Sequence, residues 1–333
     1  MKDVRKILFI TLTNLGDIVL TTPVFSALAG LFPGAVIDVI TGPPGEGIFK
    51  AASASGRVTV RTRRQSLGER IKEVVGIRRE KYDLVVDLKA SLMPLVAGAR
   101  MSFPLFPARS FDGHMVDKHL GVIRKLLRPA PAKPVFYVPV SERDKEFVAG
   151  IMGEEKSRTL ADGPFITINP GAKSHLKRWP AEKYAELIKG LERIPGCRIF
   201  VAGGMEDKAI VKKILDLSRA RAVDLSGETS LGALYELIRR SDLFVTNDSG
   251  PLHIASAAGT PTLAIFGPSD ERKYGPLAPF SVVVSPNAVC RPCGKAQCSK
   301  GMNDGCISRV TAGEVLGAIG KAGDHVRVLA PLG

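Results

Sequence analysis

Residues 246–270, TNDSGPLHIASAAGTPTLAIFGPSD, constrain the fold more than any other stretch. The apolar run Leu243-Phe244-Val245 before it predicts a short buried strand. The chain then turns through Asn247-Asp248-Ser249-Gly250. Pro251 stands where a first helical residue would, with Ser249 or Gly250 as N-cap. A small-residue helix over 252–258 stops at Gly259, and a second apolar strand over 262–266 ends in Gly267-Pro268. Strand, polar turn, helix N-terminus and strand make half of a doubly wound parallel sheet. Such sheets bind ligands at the carboxyl ends of their strands.

Those residue types point to a particular chemistry. Free backbone N–H groups at 250–253, with the helix dipole behind them, favour a phosphate or pyrophosphate. Asp248 can accept from sugar hydroxyls, and Ser249 and His253 can donate to phosphate oxygens. Taken singly, Asp248 reads as a cap and His253 as a core histidine. Their concurrence in one strand-to-helix turn favours the ligand reading.

At 333 residues the chain exceeds the usual size of a single core, so two domains are expected. The net charge of +14 is uneven. Residues 1–150 hold 23 basic and 14 acidic side chains, and residues 57–81 alone hold nine and three. The excess suits an anionic partner or a solvated basic face. No aromatic interleaving or zinc-finger spacing accompanies it, which argues against nucleic acid. No run of eighteen apolar residues exists, so no spanning helix is expected. Lys2, Arg5 and Lys6 before Ile7-Leu8-Phe9-Ile10 resemble a signal peptide only faintly, because Thr11, Thr13, Asn14 and Asp17 break the apolar core. That segment reads as a first strand, and the expected location is the cytoplasm.

The remaining pattern alternates. In the first half, strands are expected over 7–12, 36–40 and 84–88, and helices over 17–31, 67–79 and 115–127. In the second, strands are expected over 165–168 and 198–202, and helices over 181–191, 206–217 and 231–240. This is an α/β chain of two Rossmann-like, doubly wound domains facing each other across a cleft. The charged and small residues before Pro164 place the boundary between 1–156 and 157–333.

Three further strand-to-helix loops carry candidates. Thr13-Asn14-Leu15-Gly16-Asp17 is no dinucleotide fingerprint, having only Gly16. Asp17 there is either a helix cap or a general base for an attacking hydroxyl. The loop Asn169-Pro170-Gly171-Ala172-Lys173 leads to Lys177-Arg178-Trp179-Pro180. Its cations Lys173, Lys177 and Arg178 can neutralise a diphosphate leaving group without a metal, and Trp179 reads as a packing anchor. In Ala202-Gly203-Gly204-Met205-Glu206-Asp207, Glu206 either holds a ribose or base or favours a helix N-terminus.

Gly16-Asp17 with Leu20-Thr21-Thr22-Pro23, Asn169-Pro170-Gly171 with Lys177-Arg178-Trp179-Pro180, and Asp248-Ser249-Gly250 with His253 together resemble glycosyltransferase family 9. These are the bacterial ADP-heptose:lipopolysaccharide heptosyltransferases. Phe266-Gly267-Pro268 fits as well, and the likeness runs nearly the full chain. The resemblance implies a GT-B fold, an acceptor-binding first domain, a nucleotide-sugar-binding second domain, and inversion at the anomeric carbon. By motif, Asp17 would be the general base and Lys177 would meet the donor phosphates, with Gly171, Ala172 and Lys173 in the same loop. Glu206 would bind the nucleoside and Asp248 the donor sugar, while Ser249, Gly250 and His253 cradle the diphosphate. Asn14, Gly16, Arg61, Arg63 and Arg64 are the acceptor-side candidates. The donor would be ADP-heptose and the acceptor an anionic lipopolysaccharide core, with peripheral contact at the inner face of the inner membrane. A different nucleotide sugar, or a non-catalytic nucleotide-sugar binder, remains open, since fold does not fix substrate.

Cys290, Cys293, Cys298 and Cys306 stand outside that mechanism, which requires no metal. Their CxxC-x4-C-x7-C spacing can hold structural zinc or an iron–sulfur cluster. Free thiols are the default reading, and disulfides are disfavoured in a reducing compartment.

Overall fold

The computed structural model describes residues 4–62, 66–103, 111–127, 133–153, 163–295 and 297–323. Contacts divide the chain into two compact units, Met1–Pro139 and Val140–Gly333. The helix Glu142–Met152 belongs to the second, because its Val148 and Met152 pack with Phe165, Phe200 and Leu237. The expected boundary at 156/157 lies outside the described residues.

The first unit holds a parallel sheet of β1 (Lys6–Ile10), β2 (Val36–Thr41), β3 (Ser55–Val60), β4 (Leu84–Asp87) and β5 (Met101–Phe103), in the order β3-β2-β1-β4-β5. The central strands β1 and β4 are apolar runs buried on both faces, as a sheet covered by helices requires. Strand order reverses between β1 and β4, whose register pairs Ile10 with Asp87. The helix after β1, Leu15–Leu31, carries Pro23 in its interior. Pro23 has no N–H for the Val19 carbonyl, and the Thr22 hydroxyl donates to that carbonyl instead at 2.8 Å. The same hydroxyl accepts from Tyr137 N at 3.1 Å. The Thr-Thr-Pro sequence thus keeps a continuous helix despite the proline.

In the second unit, β6 (Phe165–Asn169), β7 (Arg198–Gly203), β8 (Val223–Ser226), β9 (Leu243–Asn247), β10 (Thr262–Ile265) and β11 (Val282–Val284) form a parallel sheet, ordered β11-β10-β9-β6-β7-β8. Its reversal lies between β6 and β9, where Asn169 pairs with Thr246. Ile166, Ile168, Val201 and Val245 pack against Tyr184, Leu187, Ile188 and Leu191 of the helix Ala181–Leu191. Open α/β sheets hold ligands at such reversals, beyond the strand carboxyl ends.

Two expected helices differ. The segment read as 206–217 opens with a tight turn, Met205–Asp207, before the helix Lys208–Ser218. The helix read as 115–127 is Met115–Val122, ending where Ile123 leaves helical geometry. Among the described residues, no helix is long and apolar enough to cross a membrane.

Candidate functional site

The loops after β6 and β9 meet at the reversal of the second sheet. Ser249, extended at φ −147°, is the N-cap of the nine-residue helix Gly250–Ala258, and Pro251 sits in its first turn. Asp248 is buried, at 5% exposure, and its backbone N–H donates to the Ile265 carbonyl. Lys177 Nζ lies 2.6 Å from Asp248 Oδ2. No well-directed hydrogen bond reaches that oxygen from the described residues, so Lys177 compensates it by charge. Burying an uncompensated carboxylate would be costly. The lysine therefore stands at a helix N-terminus, tethered by an acid, with a third of its side chain open. His253 is buried one turn into the helix, its ring 6.5 Å from that of Tyr274. Ser249 Oγ is 3.4 Å from Thr246 Oγ1.

Asn247, read in the sequence only as part of a turn, ties the two loops together. Its amide donates to the Pro170 carbonyl at 2.7 Å. Its oxygen accepts from Trp179 N at 3.2 Å and from the Tyr184 hydroxyl at 2.9 Å. The visible signal was an amide placed at the end of an apolar strand, where a fully buried side chain must find partners. Trp179 is a packing anchor as expected. It is wholly buried, edge-on to Tyr184 at 4.8 Å, and its indole donates to the Val310 carbonyl.

Asp207 is a second residue the sequence reading missed. It lies buried beneath the loop after β6, so close that a Cβ at Gly171 would collide with its carboxylate. Gly171 is glycine for that close approach. Gly204 N donates to Asp207 Oδ2 at 3.0 Å. Burial and then the Glu206 charge raise the Asp207 carboxyl, against the pull of the Gly204 N–H and Arg178. Arg178 Nε donates to the Ala172 carbonyl at 2.6 Å, fixing the loop from the other side. Gly171 and Ala172 are buried, whereas Lys173 and Glu206 are exposed, with the Glu206 carboxylate folded over Gly204.

In the first unit the loop after β1 lies at that sheet's own reversal. Asn14 is the N-cap of Leu15–Leu31, but its side chain makes no cap to the backbone. Its amide instead donates to Asp17 Oδ2 at 3.0 Å. Asp17 is thus held at its carboxylate rather than spent as a cap, and it and Gly16 are half-buried. Gly42, after β2, sits so near Thr13 that a Cβ there would come within 2.5 Å of the Thr13 carbonyl. That contact braces the Asp17 loop.

Of the arginines expected on the acceptor side, Arg61 is engaged. Its Nε and Nη2 donate to Glu73 Oε1 at 3.2 and 2.8 Å. Arg63 and Arg64 lie outside the described residues. A cavity of about 250 Å³ under the helix Leu67–Arg79 is lined in part by Asp38, Arg57, Glu80 and Tyr82. These neutralise one another: Tyr82 and Arg57 N donate to Asp38, and Lys6 and Arg57 pair with Glu80, holding its carboxyl down to about 2.

The described residues lend the metal reading of the cysteines no support. Among the described residues no three His, Cys, Asp or Glu side chains come together as a metal site. Cys290 and Cys293 are exposed, Cys298 is half-buried, and Cys306 is buried. The segment does have a structural place. Cys293 N and Gly294 N donate to the Pro268 carbonyl, and Arg291 Nη2 donates to Glu271 at 3.0 Å, so it straps the loop after β10.

Two parallel doubly wound units, one presenting a lysine and a helix N-terminus at its strand reversal, have the architecture of an α/β protein of the GT-B class. The sequence model of glycosyltransferase family 9 (heptosyltransferase) matches residues 74–303, and the chain belongs to that family. It is a glycosyltransferase. Lipopolysaccharide heptosyltransferase 2 of Escherichia coli K12 is 28% identical over 304 residues, covering 82% of this chain and 86% of that protein. The family 9 glycosyltransferase of Veillonella parvula superposes with a TM-score of 0.79 at 21% identity, covering 96% and 97% of the two chains. The ADP-heptose lipopolysaccharide heptosyltransferase II of E. coli superposes at 0.71 with 25% identity, covering 95% and 98%.

Proposed function

We propose that the protein transfers a heptose from ADP-heptose to an anionic lipopolysaccharide-core acceptor, with inversion at the anomeric carbon. The observation that carries this reading is the Lys177–Asp248 pair beside the N-terminus of Gly250–Ala258. A diphosphate placed there meets the Lys177 ammonium and the N–H groups of the first turn, with Ser249 and His253 beside them. Such preset positive groups stabilise the charge that develops on the leaving phosphate. Asp248, released from Lys177, accepts from hydroxyls of the donor sugar. Gly171, Ala172 and Lys173 line the phosphate side, and Glu206 takes the nucleoside.

Asp17 is the general base. The acceptor oxygen attacks the anomeric carbon, its proton passes to Asp17, and the bond to the diphosphate breaks with its electrons leaving on ADP. Asn14, Gly16 and Arg61 line the acceptor approach. The lipid-anchored acceptor brings the enzyme to the inner face of a membrane as a peripheral protein. A panel of nucleotide sugars offered with truncated lipopolysaccharide acceptors tests the reading by release of nucleoside diphosphate. ADP released only from ADP-heptose with a core acceptor supports it, and release from a different sugar nucleotide alone rejects it.

A further inference from the structure

We propose that the first unit docks on an anionic lipid bilayer through one face formed by the helices Leu67–Arg79 and Met93–Val96. The proposal rests on the reading of a lipid-anchored acceptor and assigns the surface that reaches the lipid.

Four large apolar side chains on these elements are bare: Ile71 at 56% exposure, Val75 at 43%, Leu92 at 66% and Leu95 at 59%. Ile71, Val75 and Arg78 follow at i, i+4 and i+7, one stripe along the helix. That stripe turns toward the second element. Arg78 Cγ is 4.0 Å from where a Cβ on Gly98 would lie, and Val74 and Val96 pack on the same cluster of Met93 and Ala97. An apolar patch rimmed by charge marks an interaction surface.

The rim says which kind of surface. Arg70, Lys72, Arg78, Arg79 and Arg100 are exposed around the patch, and no described carboxylate pairs with Arg70, Lys72, Arg78 or Arg79. The acids of the same stretch are fewer, and two of the three are ion-paired. Glu69 closes the capping box with Ser66, Glu73 holds Arg61, and Glu80 is shared by Lys6 and Arg57. The net charge on this face is therefore positive. Bare leucine and isoleucine among arginines are what the boundary between anionic headgroups and acyl chains accepts. A protein partner would more often offer aromatic anchors in a pocket. Location agrees as well. Leu92 follows the carboxyl end of β4, beside the carboxyl end of β1 from which the Asp17 loop departs. An acceptor sugar projecting from that bilayer would stand at the edge of the sheet that bears Asp17.

The test is co-sedimentation of the full chain with vesicles of phosphatidylcholine alone or mixed with phosphatidylglycerol. The doubles Leu92→Asn with Leu95→Asn and Arg78→Ala with Arg79→Ala change exposed side chains only. The protein should bind the anionic vesicles, lose affinity as salt is raised, and weaken about tenfold or more in each double. Equal binding to both vesicles, binding unchanged in both doubles, or no vesicle binding alongside capture of a protein partner would each overturn the proposal. Transfer to a soluble core saccharide should be the same in wild type and doubles. If the wild type transfers nothing to that saccharide, the functional reading fails, and the vesicle result still decides the docking face.

Discussion

Lys177 Nζ and Asp248 Oδ2 lie 2.6 Å apart, joining the loops that follow β6 and β9 across the reversal of the second sheet. The pair holds a cation beside a helix N-terminus, the arrangement on which the proposed diphosphate site rests. The tether also keeps the buried Asp248 carboxylate compensated.

Lys177→Ala removes that cation and leaves Asp248 without its counter-charge. Turnover should fall about 10²-fold or more, with weaker ADP binding, because one preset electrostatic group at a leaving phosphate is lost. Calorimetric titration with ADP checks the second part. Unchanged affinity would remove Lys177 from the phosphate site.

Asn247→Ala should cost about 3 kcal/mol of stability, since Pro170 O, Trp179 N and the Tyr184 hydroxyl all lose a buried partner. Tyr184→Phe removes one of these bonds and should cost about 1 kcal/mol. Urea unfolding measures both, and equal costs would contradict the hub.

Much of this site was legible in the sequence. The run Leu243-Phe244-Val245 before Asp248-Ser249-Gly250-Pro251 announced strand, turn and helix because each residue satisfies a local rule. Pro in the first turn and Gly259 past the end, at φ +73°, punctuate the helix as those residues should. Two edge strands were too polar to be legible. β3 is Ser-Gly-Arg-Val-Thr-Val and β8 is Val-Asp-Leu-Ser, too polar to signal burial, and pairing with a neighbouring strand makes them β-structure. The same limit hid Asn247 and Asp207, whose roles depend on chain far away in sequence. For the cysteines the spacing suggested a ligand set, and the part the described residues show is a strap over the loop after β10.

His119 supplies a pH dependence. It is buried on the helix Met115–Val122, and burial first, then the Lys118 charge, lowers its pKa from 6.5 to about 4. The unfolded chain therefore binds the proton more readily, and stability contributed by neutral His119 is lost as pH falls from 6.5 toward 4. Between pH 7 and about pH 5 the loss should be about 2 kcal/mol. His119→Leu should flatten that limb in urea unfolding. An identical slope in wild type and variant would contradict this.

The thiols should react in a set order. Backbone N–H groups of Lys300 and then Met302 lower the Cys298 thiol, whereas burial, followed by the Asp242 and Glu192 charges, pushes Cys197 up to about 12. Timed iodoacetamide labelling read by peptide mass should find Cys298 modified well before Cys197. Reversal of that order would mean the segment is arranged differently in solution.

The central claim is that Asp17, held by Asn14 at the reversal of the first sheet, takes the acceptor proton while the second unit holds ADP. Its most direct measurement is Asp17→Asn, which preserves shape and the reach to Asn14 but cannot accept the proton. Steady-state turnover should drop about 10³-fold, within the range for loss of a general base, while ADP affinity by calorimetry stays at the wild-type value. Turnover near wild type would contradict the account.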